Sequence, residues 1–150
     1  MGLTEKITTL RAKTGAGIMA IKNALDEASG DEKKALDILK KQGLTIAKKK
    51  AERATSQGLI ETYTHMGKIG AMVELNCETD FVARNPEFKD LAHDLTLQVA
   101  SLESEKIEDL LKMELIKEPG KTVQELVTEK IAKLGENIKI KRIARFVLGD

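Results

Sequence analysis

Apolar residues recur at helical spacing through the first part of the chain. Leu3, Ile7 and Leu10 mark a first helix with Thr4 placed to cap it, and the Thr14-Gly15-Ala16-Gly17 stretch ends it. Ile18, Ile21, Ala24, Leu25 and Ala28 form the stripe of a second helix, stopped at Ser29-Gly30. Asp31 then caps a third, with Ala35, Leu36 and Leu39 inward and Gly43 as its expected end. Three short helices over residues 1–43 predict a small bundle. Residues 44–57 are rich in helix formers and poor in apolar ones, which predicts an exposed helical linker.

After Gly58 the period falls to two. Leu59, Glu61 and Tyr63 alternate with Ile60, Thr62 and Thr64, His65-Met66-Gly67-Lys68 offers a turn, and Ile69, Ala71, Val73 and Leu75 line a returning strand. Helical spacing resumes with Phe88, Leu91, Ala92, Leu95, Val99 and Leu102. A shorter amphipathic piece, Ile107 to Leu115, breaks at Pro119-Gly120. Thr122 caps a further helix with Val123, Leu126, Val127, Ile131 and Leu134 inward, ended by Gly135. The last segment, Asn137 to Leu148, sets Ile138, Ile140, Ala144, Phe146 and Leu148 on one face of a third strand, antiparallel to the hairpin, with Arg142 interrupting it. The pattern predicts an α+β chain: the bundle at 1–43, the linker at 44–57, and a core at 58–150 made of a three-stranded antiparallel sheet with helices packed on it. There is no internal repeat.

Composition narrows the function classes. In 150 residues, 33% are charged and 41% hydrophobic, a globular balance, while the net charge of +1 provides no bulk field for nucleic acid. No apolar run approaches the roughly 20 residues of a membrane span, and Met1 to Lys6 has no signal-peptide core. The expectation is a soluble intracellular protein. Cys77 is the single cysteine, so no internal disulfide is expected.

Candidate chemistry is sparse. Gly15-Ala16-Gly17 before a helix invites a phosphate-loop reading, but the Walker spacing is absent and no strand precedes it, so a tight turn is the better reading. His65, His93 and Cys77 do not make a metal or nucleophile set by spacing. Lys48-Lys49-Lys50 with Arg53 reads as a solvated basic face, and Glu78 with Asp80 lacks the companions of an acid-base or metal pair. No catalytic group, metal or cofactor is expected. Phe81 differs, because only three phenylalanines occur and this one sits in a polar loop between Asp80 and Arg84. It is either an anchor to the core or an aromatic presented to a partner, and the residues alone leave both open.

Glu74-Leu75-Asn76-Cys77-Glu78 followed by Thr79-Asp80-Phe81-Val82-Ala83-Arg84-Asn85 resembles the signature of the elongation factor Ts family, guanine-nucleotide exchange factors for elongation factor Tu. Leu10-Arg11, Thr14 to Gly17, Lys22, Ala24 and Leu25 resemble that family's amino-terminal block, whose domain is a ubiquitin-associated-like three-helix bundle. Lys121-Thr122-Val123, Ile131 to Ile138 and Arg145-Phe146 resemble its closing segment. The three blocks occur in the family's order.

The resemblance implies that Phe81 enters a pocket in the partner's nucleotide domain, and that Asp80 disturbs the region holding magnesium and phosphates. Thr79, Val82, Arg84 and Asn85 complete that exchange loop, and Arg11, Ile18 and Met19 on the bundle dock against the same domain. The chain itself would bind no nucleotide directly, no cofactor and no membrane. It departs from relatives in carrying Ala20 and Asn23 where they often have Asp and a basic residue, and in a shortened stretch at about residues 101 to 120. Short family members dimerise, so a homodimer is implied, in a bacterial-type cytoplasm or an organelle matrix. The competing reading is a ribosome- or polypeptide-binding module that uses the bundle and lacks exchange activity.

Overall fold

The computed structural model describes residues 2–150 and divides them into two compact units. The first takes the chain up to Glu52 together with Thr128–Gly135; the second takes Arg53–Val127 with Glu136–Asp150.

In the first unit α1 (Leu3–Thr14), α2 (Ile18–Glu27) and α3 (Glu32–Lys50) form the expected bundle. Its core is Leu10, Ile21, Ala24, Leu25, Ala28, Ala35 and Leu39; of the positions that helical spacing marked, Leu3 and Ile18 lie outside it, exposed at the starts of α1 and α2. Asp31 caps α3 by accepting from Lys33 N at 2.9 Å and Lys34 N at 3.1 Å, and those bonds to the ionised form hold its carboxyl below the usual carboxylate range.

Two ends differ from the sequence reading. Gly2, not Thr4, is the N-cap of α1, and Thr4 lies in the first turn, where its carbonyl accepts from the Thr8 hydroxyl. Nor does α3 stop at Gly43; it continues to Lys50. One glycine costs a helix interior about 1 kcal/mol. The helix formers that follow, and the lysines at 48–50 facing the negative end of the helix dipole, favour continuation. The first half of the expected linker, residues 44–50, is therefore the end of α3.

In the second unit β1 (Gln57–His65), β2 (Ile69–Cys77) and β3 (Lys139–Val147) form one antiparallel sheet in the order β1-β2-β3. The hairpin turn places both Met66 (φ 52°) and Gly67 (φ 69°) in the left-handed region, closed by Lys68 N donating to His65 O at 2.9 Å. Between α4 (Asp80–Ala83), treated below, and α6 (Ile107–Lys112) runs α5 (Pro86–Ser101), which lies against β1 and β2. Phe88, Leu91, Ala92, Leu95 and Val99 meet Ala71, Val73, Leu75 and Cys77 in the core, all buried. Gln98, also buried, clamps the connection after α6 by donating to Glu114 O and accepting from Ile116 N. The helix α7 (Val123–Leu134) follows, with Glu125 N donating to the Thr122 hydroxyl; its residues are divided between the two units.

The third strand corrects the expected face. Glu74 pairs with Arg142 but Leu75 pairs with Ile140, so Lys141 is an extra residue and the strand bulges there. Beyond the bulge the alternation changes phase. Ile143, Arg145 and Val147 are half-buried, with Arg145 Nε donating to Ala100 O at 3.2 Å, while Ala144, Phe146 and Leu148 are exposed.

Gly58, with φ 146°, pairs with Asn76 at the start of the hairpin. A Cβ there would run into the Leu75 carbonyl oxygen and come within 2.8 Å of Asn76 Cα, both backbone atoms. Gly58→Ala is therefore expected to cost about 2 kcal/mol or more, read as a fall in the thermal midpoint followed by far-UV circular dichroism.

Candidate functional site

Two successive helix starts are written into residues 79–86. Thr79 has extended φ and ψ, and its side chain accepts from Val82 N to cap the single turn α4. Asn85 accepts from Glu87 N at 2.8 Å to cap α5, whose first residue is Pro86. A proline disfavours helical angles in the residue before it, so α4 must end and the chain must turn. The polar loop of the sequence reading is thus a braced helical turn.

Within that turn, helical spacing sorts the side chains. Val82 and Ala83 are half-buried, while Phe81 is 77% exposed. Val82 and Ala83 face inward and anchor the turn, while the Phe81 ring lies in solvent and does not. Asp80 and Arg84, four apart, pair at 2.9 Å, and the Arg84 guanidinium lies 5.7 Å from the centre of the Phe81 ring. An ion pair this exposed is worth about 0–1 kcal/mol. It orients the three side chains as one cluster without holding them tightly.

The support beneath comes from elsewhere in the second unit. Glu136 accepts from Glu78 N at 3.1 Å, Thr79 N at 3.0 Å and the Thr79 hydroxyl at 2.6 Å. In return Asn137 N donates to Glu78 Oε1 at 2.8 Å, and Arg53 lies 3.6 Å from the same oxygen. Glu78 is therefore engaged in bracing, and Asp80 faces Arg84 instead. Cys77 Sγ donates to Thr79 O at 3.1 Å. Burial, with the nearby Glu136 charge, pushes this thiol up to about 11, so it stays protonated and unreactive at neutral pH. Glu136 was only one letter of a motif in the sequence; no local signal connects it with Thr79.

The other expected contact residues lie in the first unit. Arg11 and Ile18 line a shallow depression with Leu3, Ile7 and Lys22, and Met19 is 67% exposed. The glycines between α1 and α2 form the tight turn. Gly15 N donates to Arg11 O and Ala16 N to the Thr14 hydroxyl, so these amides are already used within the turn. Among the described residues no group of three or more His, Cys, Asp and Glu side chains is gathered for a metal, and no helix is long and apolar enough to cross a membrane.

Residues 78–150, from the braced turn to the end of the chain, match the family model described as Elongation factor TS. The chain is also similar to the Elongation factor Ts of Thermodesulfovibrio yellowstonii, 41% identical over 190 aligned positions that take in 97% of this chain and 96% of the relative. The chain belongs to the elongation factor Ts family. At that level it is a translation elongation factor, with a place in protein biosynthesis. The Elongation factor Ts of Desulfotalea psychrophila is 39% identical over 195 positions, covering 99% of this chain and all of the relative. That of Aquifex aeolicus is 48% identical over 152 positions, covering 97% of this chain and 52% of the relative. The alignment with the Thermodesulfovibrio elongation factor Ts is longer than this chain's 150 residues, so parts of that relative have no counterpart here.

Proposed function

We propose that the chain is a guanine-nucleotide exchange factor that promotes GDP release from elongation factor Tu by inserting the Asp80-Phe81 turn near the magnesium and phosphates. The observation that carries this reading is the exposure of Phe81 on a turn braced from beneath. A large apolar ring held in water has no folding benefit, whereas a rigid aromatic beside charged groups is what a binding hot spot uses.

Exchange needs no bond made or broken, and the chain acts as no enzyme in that sense. The factor binds the nucleotide-free partner more tightly than the nucleotide-bound one, so factor and nucleotide weaken each other reciprocally. Each tenfold weakening is a coupling of about 1.4 kcal/mol. Magnesium bridges phosphate and protein oxygens, so a small displacement of its surroundings by Phe81 and Asp80 removes much of the hold on GDP. Thr79, Val82, Arg84 and Asn85 shape the inserted turn, and Arg11, Ile18 and Met19 provide a second grip on the partner from the bundle.

The test is stopped-flow release of a fluorescent GDP from elongation factor Tu with and without the chain. Acceleration supports exchange; binding with no acceleration would support a non-exchanging module instead.

The reading extends to a homodimer in a bacterial-type cytoplasm. Its support is the sheet face opposite α5, where Ile60, Met72 and Phe146 are all exposed, with Leu148 exposed just past the end of β3, an apolar patch that a second copy would cover. Light scattering is expected to give a dimer, and Phe146→Lys a monomer.

A further inference from the structure

We propose that Glu136 is a positioning residue for exchange, holding the Asp80-Phe81 turn in the conformation that presents Phe81. This rests on the exchange reading above and adds to it a residue that acts through the turn, by its bonds to Glu78 and Thr79.

The argument begins with how little α4 has of its own. It spans four residues, Asp80–Ala83, and one isolated helical turn is unstable in water because nucleation fixes several dihedrals for a single hydrogen bond. Its cap bond, Val82 N to the Thr79 hydroxyl, is long at 3.4 Å. The Asp80–Arg84 pair is exposed and weak. Local interactions therefore leave the turn under-determined.

Glu136 supplies what is missing. One carboxylate oxygen accepts from two successive amides, Glu78 N and Thr79 N, and the other accepts the Thr79 hydroxyl proton at 2.6 Å. These are charge-assisted bonds, stronger than neutral ones. The last of them also settles a direction: with its proton committed to Glu136, the Thr79 oxygen turns a lone pair toward Val82 N. The cap of α4 is thus set by a residue 57 positions away in sequence. The bond from Asn137 N to Glu78 makes the clasp reciprocal, so residues 78–79 are tied to 136–137 at both partners. Phe81 leaves the chain two residues beyond this clasp, and its direction follows from it.

The experiment measures stimulated GDP release from elongation factor Tu at saturating full-length factor, with Glu136→Ala, Glu136→Gln, Thr79→Val, Phe81→Ala and the Glu136→Ala/Phe81→Ala double variant. Glu136→Ala is expected to slow release about tenfold, equivalent to about 1.4 kcal/mol. Glu136→Gln is expected to restore most of the rate, because its carbonyl still accepts from both amides. Thr79→Val, which loses only the hydroxyl, is expected to fall between wild type and Glu136→Ala. The double variant is expected to release no more slowly than Phe81→Ala alone, since a residue acting through Phe81 has nothing left to position. Two results would overturn the proposal: wild-type release by Glu136→Ala, or a double variant whose defect is the product of the two single ones. If Glu136→Ala does not fold, Thr79→Val releasing at the wild-type rate would overturn it as well. Wild-type release by Phe81→Ala would instead remove the exchange reading itself.

Discussion

Phe81→Ala is expected to slow stimulated release of GDP about thirtyfold, corresponding to a hot-spot loss of about 2 kcal/mol, while leaving the fold intact. The side chain is 77% exposed, so truncating it opens no cavity. The ring gives up its contact with the Arg84 guanidinium, and surface changes of this kind stay within about 0.5 kcal/mol of stability. Stopped-flow release and a thermal melt on the same sample check both halves. Unchanged release would mean that the ring is not a wedge, and a large fall in the melting point would mean that it anchors the fold after all.

Phe88→Ala should do the reverse. This ring is completely buried, on the face of α5 turned toward β1 and β2. Its removal combines lost transfer energy with a cavity that close-packed neighbours cannot fill, a cost of about 3–5 kcal/mol. Domains of this size hold only about 5–15 kcal/mol in all. Denaturation in urea, followed by far-UV circular dichroism because the chain has no tryptophan, should show a midpoint displaced far more than that of Phe81→Ala. At a temperature where the variant remains folded, its release activity should approach that of the wild type.

These two phenylalanines, seven residues apart, show where periodicity suffices as evidence. Phe88 belongs to a stripe with Leu91, Ala92, Leu95 and Val99, and a stripe that long has one interpretation: the face of a helix that must be covered. Phe81 belongs to no stripe. Its exposure depends on which of four residues in one turn faces the core, and that in turn depends on what meets the turn from outside. The sheet makes the same point. Alternation was legible in β1 and β2, but in β3 the extra residue at Lys141 reverses it. As a result Ala144, Phe146 and Leu148 face away from the side that alternation assigned them. A bulge is a disagreement between two strands and is invisible in either one alone. The continuation of α3 through Gly43 is a milder case, in which a local stop signal was outweighed by the residues on either side.

By itself, the sequence determined the order and type of the main elements, most of the apolar residues of both cores, and the family, because each depends on spacing within a few residues or on a motif. Tertiary structure alone decided that Phe81 points outward, that the third strand changes phase, and that Glu136 reaches back to cap the turn before Phe81. The physical reason is common to all three: each is a hydrogen-bond or packing relation between segments separated by tens of residues, which folding creates and local preference does not encode.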